Sequence, residues 1–300
     1  MHIFYWLVMG MLFSGCSIKT MAVRTTADIF VDGSAAFEEE SDLELAEHAI
    51  SANLKVIEGM LKADPTNETL LTLLARSYGG YAFGFIEERY LELKDKDPKK
   101  SEYFKRRAEV FYLRGKDFAL KALVQSNSSF PEALNSDFET FEAALERFGS
   151  EDVPALFWTA YNWGNWLNLN LQSPEAIAVA PKVERMMKKV LELDENYFFS
   201  GPHLFYGVYY GARPPMLGGD KAKSKTHFEL ALKYTERKFL MTQVLYAQYY
   251  AVQTQDEHLY GKLLKEVLDA PDTIYPEQSL ITQLAKKKAQ RLLAAKSKLF

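Results

Sequence analysis

Residues 201–220, which read GPHLFYGVYYGARPPMLGGD, decide the fold of this chain. Gly207, Tyr210 and Gly211 stand at helical spacing within them, so the glycines let a neighbouring helix approach closely while the tyrosine fills the space beside them. The same order of a small, an aromatic and a small residue recurs at Ala75/Tyr78/Gly79, Ala160/Trp163/Gly164 and Ala247/Tyr250/Ala251. This recurrence indicates internal repeats of helical type.

Such repeats predict an all-α chain built from antiparallel helix pairs. A unit of about 34 to 47 residues cannot bury its apolar face alone, and it therefore stacks on its neighbours into a solenoid. The pattern resembles the first helix of a tetratricopeptide repeat, and Asp64-Pro65 closes a helical run just before one of the copies, where that repeat has its turn. We therefore expect a tetratricopeptide-like helical-repeat solenoid.

The segment from Arg213 to Asp220 interrupts the helical pattern. Two prolines stop the preceding helix, and the glycine pair permits a positive φ before Asp220 caps the next helix. Two interpretations of Arg213 stay open. It either belongs to a rigid turn between two helices of one repeat, or presents its guanidinium to a carboxylate of a ligand or partner, a geometry that arginine suits.

Composition and charge limit the class of protein. The chain has 300 residues, 48% of them hydrophobic and 14% aromatic, so it can bury a large core and is not disordered. The net charge is −4, and the basic residues are dispersed except at residues 286–291 (KKKAQR). We interpret that cluster as a solvated helix face and expect no nucleic-acid partner, because nucleic-acid-binding proteins carry a far larger basic surface.

The N-terminus is typical of an exported protein. Residues 3–13 are apolar apart from Gly10, which suits the core of a signal peptide and is too short to span a membrane. Phe13-Ser14-Gly15-Cys16 then resembles a bacterial lipobox, and this single cysteine has no partner for a disulfide. We expect lipidation at Cys16, which anchors a protein to a membrane without spanning it. Ser17 after it implies the outer membrane, facing the periplasm.

The predicted organisation has three parts. Residues 1–15 form a lipoprotein signal peptide, residues 16–40 a tether, and residues 41–300 the helical-repeat domain. Ser41-Asp42-Leu43-Glu44 has the spacing of a capping box and opens the first amphipathic helix, to Leu61.

Aromatic and amide side chains on two segments form the candidate binding site. In FWTAYNWGNW (residues 157–166), polar amides lie inside an aromatic stripe, and the block from residue 201 adds tyrosines and a histidine. These side chains either pack in the core with their polar groups hydrogen-bonded, or line a groove for a small apolar or organic-acid ligand. The candidates are Trp158, Tyr161, Asn162, Asn165, His203, Tyr206, Tyr209 and Arg213.

The sequence contains no linear motif for catalysis. Its five histidines are scattered without metal-ligand spacing, and there is no HExxH, CxxC, GxSxG, P-loop or GxGxxG sequence. Adjacent carboxylates such as Glu87 and Glu88 are interpreted as solvated rather than paired for acid–base chemistry. We therefore expect a non-enzymatic protein with no cofactor and no metal.

Three blocks together resemble a known family. The blocks are FWTAYNWGNW, LELDENYFFSGPHLFYGVYYGARPPMLGGDKAKSKTHFELAL and KFLMTQVLYAQYYAVQ, and they follow a lipobox. Together they are similar to the T component associated with tripartite ATP-independent periplasmic (TRAP) transporters. The resemblance implies an all-α, periplasm-facing lipoprotein that works beside the solute-binding protein of such a transporter, holds a hydrophobic or organic-acid ligand, and assembles into homo-oligomers.

A second function from another class stays open. A tetratricopeptide scaffold for envelope protein assembly would hold peptide segments on its concave surface. The shape of the site distinguishes the two functions, because an aromatic pocket favours a small ligand and an open polar groove favours a peptide.

Overall fold

The prediction of an all-α chain is confirmed. The structure, a computed structural model, describes residues 20–300, and within these residues the chain is helical with no β-strand. Helices that are neighbours or near neighbours along the chain pack on one another, which is compatible with stacked helix pairs. The tetratricopeptide-like solenoid itself stays a prediction.

The helices follow one another with short connections. The N-terminal half contains α1 (residues 20–32), α2 (Ala35–Glu38), α3 (Leu43–Leu61), α4 (Glu68–Tyr81), α5 (Glu87–Leu93), α6 (Pro98–Ser126), α7 (Phe130–Leu134), α8 (Phe138–Leu145) and α9 (Val153–Leu169). The C-terminal half contains α10 (Pro174–Leu193), α11 (Tyr197–Gly211), α12 (Lys221–Tyr234), α13 (Met241–Leu245), α14 (Val252–Thr254), α15 (Glu257–Asp269) and α16 (Ser279–Ala294). A π-helical turn joins α4 to α5 (Ala82–Ile86), and another joins α13 to α14 (Tyr246–Ala251).

Side-chain caps begin most of the longer helices. The Asp42 carboxylate accepts hydrogen bonds from the amides of Glu44 and Leu45, so it caps α3 in place of the predicted Ser41. Asp220 caps α12 as predicted, by accepting from the amide of Lys223. Just before it Gly218 has a φ of 84°, the conformation that the glycine pair was expected to supply.

The glycines of residues 201–220 allow the close helix packing that the sequence predicts. A Cβ on Gly207 would lie 2.8 Å from the ring of Phe228, and one on Gly211 would lie 2.8 Å from the Ser224 hydroxyl, both on α12. The Ser224 hydroxyl donates to the backbone carbonyl of Gly207 at 2.7 Å. Any larger residue would therefore push α11 and α12 apart.

A buried ion cluster joins the two ends of the described chain. Lys288 and Arg291 on α16 donate to the Glu88 carboxylate at 3.0 and 2.6 Å, and the side chains of Glu88 and Lys288 are 1% and 3% exposed. Although burial alone raises it, the two cations hold the pKa of Glu88 below its usual value. The interpretation of residues 286–291 as a solvated face is thus wrong at Lys288, which packs back onto α5. We call this cluster the clasp.

The interpretation of Glu87 and Glu88 as solvated is also wrong. Glu88 belongs to the clasp, and Glu87 accepts a hydrogen bond from the Tyr112 hydroxyl at 2.5 Å. Burial raises the pKa of Glu87. Distant partners explain the error, because Lys288 and Arg291 lie about 200 positions away in the sequence and Tyr112 lies 25 positions away.

Helices begin earlier than the sequence predicts. Residues 20–32 and Ala35–Glu38 are helical, whereas this region was expected to be a tether, and Ala27 is buried against the domain. Arg24 pairs with Asp64 at 3.1 Å. The signal peptide and Cys16 lie outside the described residues. Within residues 20–300, no helix combines the length and the apolar character that crossing a membrane requires.

Candidate functional site

A cavity of about 250 Å³ lies where both halves of the chain meet. Side chains from α4, α9, α11, α16, both π turns and the N-terminal helices line it, and most of them are aromatic or aliphatic. An apolar cavity of about 150 Å³ is large enough for benzene, so this one accommodates a somewhat larger molecule. The shape is that of an aromatic pocket rather than of a polar groove.

The cavity brings together five of the eight side chains that the sequence nominates. Trp158, Tyr161, Asn165, Tyr209 and Arg213 line it. The remaining three, Asn162, His203 and Tyr206, do not.

The aromatic face of α9 forms one wall. The rings of Trp158 and Tyr161 lie one helical turn apart and meet edge to face, with their centroids 5.2 Å apart. Asn165, one further turn along, donates to the backbone carbonyl of Tyr161 at 2.9 Å. Asn165 lines the cavity and carries an amide oxygen, so this wall includes a group that can accept a hydrogen bond within a mainly apolar surface.

A left-handed turn at the start of α11 supplies the adjoining wall. Phe198, Phe199 and Ser200 have φ values of 48°, 58° and 59°, a left-handed conformation that costs about 1–2 kcal/mol per residue outside glycine. The turn directs Phe198 against Trp158, with centroids 4.8 Å apart, while Phe199 stacks on Phe239 at 4.8 Å. The packing of these rings maintains the turn and completes the aromatic cavity.

Arg213 is a cationic residue of the cavity wall that lacks an acidic partner among the described residues. It is 6% exposed, its guanidinium lies 3.9 Å from the ring centroid of Tyr209, and it donates to the Tyr209 carbonyl at 2.8 Å. Its other nitrogen donates to the Asn168 amide oxygen at 3.4 Å. Within residues 20–300 the groups that interact with Arg213 are Tyr209, Asn168 and Tyr249, and no carboxylate is among them. Burial lowers the pKa of Arg213. An anionic ligand would relieve this desolvation.

Asn162 serves the core instead of the cavity. Its amide nitrogen donates to the carbonyls of Ala75 and Trp158 at 3.0 and 2.8 Å, and the side chain is fully buried. Positions for a Cβ on Gly79 and Gly115 lie 2.4 and 2.6 Å from its oxygen. Asn162 therefore fits into a slot that the two glycines leave between α4 and α6.

His203 and Tyr206 belong to a polar cluster between α11 and α12. The Nδ1 atoms of His203 and His227 are 2.9 Å apart, and the Tyr206 hydroxyl donates to the Glu184 carbonyl at 3.0 Å. Burial, followed by the nearby charges of His203 and Lys223, lowers the pKa of His227 to about 4. Within residues 20–300 no group of three or more His, Cys, Asp or Glu side chains is arranged to hold a metal ion.

Several residues that line the cavity are not predicted from the sequence. Phe30, Phe37 and Glu38 come from the segment that was expected to be a tether, and Arg76 and Gln278 come from the two ends of the domain. No helical spacing joins Phe30 and Phe37, because a turn at residues 33–34 separates the two helices that carry them. These residues meet only because the chain closes on itself.

Comparison with known proteins identifies a family for most of the chain. Residues 39–300 match the family described as TRAP transporter T-component. No curated protein matches this chain.

Proposed function

The chain belongs to the TRAP transporter T-component family, and we propose that it holds a small apolar carboxylate in the aromatic cavity beside Arg213. Membership of the family associates the chain with a TRAP transporter and with the cell envelope. The proposal adds the ligand site and the solute-binding protein as the direct partner.

One observation carries the ligand proposal. Arg213 is a buried cation without an acidic partner among the described residues, at the edge of a cavity whose other walls are mainly aromatic. Burying a charge without its counterion is costly. Ionisable groups in such an environment cluster at functional sites. A carboxylate on Arg213 with an apolar body against Trp158 satisfies both parts of the cavity.

The mechanism that we propose is binding without covalent chemistry. The guanidinium selects the charge of the ligand, and the ring of Tyr209 holds the guanidinium at 3.9 Å. The walls around Trp158 and Phe198 exclude water and bind the apolar body. A protein of this kind passes its ligand to or from the solute-binding protein of the transporter. The aromatic lining supports this function over a scaffold for peptides.

Calorimetric titration with octanoate tests the ligand site. Octanamide has nearly the same shape without the charge, so the ratio of the two affinities measures the contribution of the anion. We expect Arg213→Gln to weaken octanoate roughly 10- to 100-fold and to change octanamide little, since hydrogen bonds to charged groups contribute about 1.5–3 kcal/mol. The control is Arg106→Gln, an arginine with a 71% exposed side chain. Equal losses for both ligands would contradict the proposed role of Arg213.

Affinity purification after crosslinking in intact cells tests the partner. We expect enrichment of a periplasmic solute-binding protein encoded with a TRAP permease. Recovery of outer-membrane assembly factors in its place would refute the proposed partner and support the scaffold function.

The proposed anchor at Cys16 has its own test. Metabolic labelling with palmitate should mark the wild-type chain and leave Cys16→Ser unlabelled. A labelled Cys16→Ser variant, or an unlabelled wild-type chain, would exclude the anchor.

A further inference from the structure

The N-terminal strap, residues 20–38, forms part of the cavity wall. Phe30, Ser34, Phe37 and Glu38 line the cavity from this side. The strap precedes residue 39, where the family match begins. Its contribution to the cavity is therefore a feature of this chain outside the matched region.

Few contacts hold the strap to the domain. Ala27 is the one residue of the strap that is buried, while Met21 and Ile29 are 67% and 63% exposed. Arg24 pairs with Asp64, but its side chain is 66% exposed, and an ion pair so open to solvent adds little stability. Val23 and Phe30 pack against the core but are only partly buried. Segments with few fully buried contacts open with a small free energy.

Glu38 makes the polar attachment at the cavity. Its carboxylate accepts from the guanidinium of Arg76 on α4 and, at 2.6 Å, from the side-chain amide of Gln278 just before α16. Arg76 also lies over the ring of Phe198, 5.0 Å from its centroid. A guanidinium, an amide donor and an aromatic ring together make a carboxylate-binding site within the cavity, and a carboxylate of the chain itself fills it.

The cavity therefore contains two cations in different states. Arg213 has no acidic partner in the described part of the chain, whereas Arg76 already binds Glu38. Resting on the proposed function above, we propose that Arg76 and Gln278 form a second carboxylate site, which Glu38 occupies. While Glu38 occupies this site, the protein selects ligands with one carboxylate. A second carboxylate on the ligand must displace Glu38 and release the strap.

This arrangement makes Glu38 a specificity-determining residue. A dicarboxylate long enough to reach from Arg213 to Arg76 brings its second charge to a site that already holds a negative charge, so like-charge repulsion opposes its binding. Glu38→Gln keeps the size of the side chain and removes that charge. Glu39→Gln is the matched control, because Glu39 is the adjacent glutamate, is exposed, and forms no ion pair within residues 20–300.

Calorimetry with octanoate and octanedioate measures this selectivity on the full chain. We expect the wild-type protein and Glu39→Gln to bind octanoate about tenfold or more tightly than octanedioate. Glu38→Gln should bind octanedioate more tightly, so that the ratio of the two affinities falls by about tenfold. In the double variant Glu38→Gln/Arg76→Gln, this gain in octanedioate affinity should be lost. Equal ratios in Glu38→Gln and Glu39→Gln would overturn the proposal, as would a gain that survives Arg76→Gln.

Hydrogen exchange tests the strap without any ligand. Glu38→Gln should raise the exchange rates of amides in residues 20–38 several-fold over those of Glu39→Gln, with no change in α9. Unchanged rates would mean that Glu38 does not hold the strap, which refutes the proposal. Absence of octanoate binding by every variant would refute the proposed function instead, so the two failures are distinguishable.

Discussion

Two buried basic groups of this protein differ in what neutralises them. Lys288, 3% exposed, lies 3.0 Å from the carboxylate of Glu88, and Arg291 completes the clasp. Arg213, 6% exposed, has an aromatic ring, a carbonyl and an amide around it, and no carboxylate among residues 20–300. The first group closes the molecule on itself, and the second leaves a charge for something else to bind.

Packing shows the same contrast between a filled and an unfilled environment. Gly79 and Gly80 are neighbours on α4, yet a Cβ on Gly79 meets Asn162 at 2.4 Å and one on Gly80 meets nothing within 4 Å. Gly80 lines the cavity. One helix therefore presents a completed core on one side and unfilled space on the adjacent side. Where the chain satisfies its own groups, we expect changes to affect stability; where it does not, we expect them to affect binding.

The largest expected effect is on the clasp. Glu88→Gln leaves Lys288 buried without a charged partner, and breaking a buried pair in this way costs about 3–5 kcal/mol of unfolding free energy. Urea denaturation followed by circular dichroism measures the loss.

The exposed pair Asp95–Lys298 provides the control for the clasp. Both side chains are 64% exposed, so Asp95→Asn should leave the denaturation midpoint unchanged. Similar midpoints for Glu88→Gln and Asp95→Asn would show that the clasp does not stabilise the fold.

The two glycines of α4 should give opposite results. Gly79→Ala pushes a methyl group against Asn162, which cannot retreat because Gly115 confines it on the other side, and overpacking of this kind costs about 1–3 kcal/mol. Gly80→Ala should leave stability unchanged or raise it by about 0.5–1 kcal/mol, since alanine favours the helix. Thermal unfolding of the two variants side by side measures the difference, and equal midpoints would contradict it.

Acid should weaken the polar cluster of α11 and α12. Burial lowers the pKa of His227 to about 4 in the folded protein, below its ordinary value of 6.5. The unfolded chain thus takes up a proton first, so the contribution of His227 to stability is complete above pH 6.5 and is lost as the pH falls towards 4. Glu195, Lys223 and His203 surround the site and set the exact profile.

Denaturation at a series of pH values measures this loss. His227→Gln should flatten the fall in stability between pH 6.5 and 4, whereas His48→Gln, at an exposed histidine, should keep the wild-type slope. An unchanged slope in His227→Gln would mean that the histidine pair does not contribute.

A small change in stability is expected at Arg213. Arg213→Gln loses hydrogen bonds to Tyr209 and Asn168 but also removes a buried charge without a counterion, so the two effects offset and the unfolding free energy should change by less than about 1 kcal/mol. Denaturation of the ligand-free protein checks this value. A loss as large as that of Glu88→Gln would mean that Arg213 is a structural anchor.

The features that sequence predicts are local ones. The glycines at 207 and 211, the cap at Asp220 and the left-handed Gly218 follow from spacing and backbone chemistry within a few residues, and the structure contains them all. The stripe of α9 is also local. Residue type is enough to nominate the five cavity-lining side chains, three of them on α9, but the pattern does not separate Asn165, which lines the cavity, from Asn162, which does not.

The features that sequence misses depend on distant contacts. Glu88 meets residues about 200 positions away in the clasp, and Glu38 meets Gln278 240 positions away, so no window of sequence contains either pair. The π turn at Ala82–Ile86 shifts the helical register without a residue pattern that announces it. The cavity wall contributed by the strap is hidden for the same reason.

Identification of the molecule that copurifies with the native protein tests most directly whether Arg213 binds the carboxylate of an apolar ligand. Solvent extraction and mass spectrometry of the wild-type chain, Arg213→Gln and Arg106→Gln, each purified from cells under the same conditions, compare what each variant retains. We expect a small molecule with an apolar body and one carboxylate, present in the wild-type chain and Arg106→Gln and depleted in Arg213→Gln. Recovery of the same molecule in equal amounts from all three proteins, or of neutral molecules alone, would contradict this expectation.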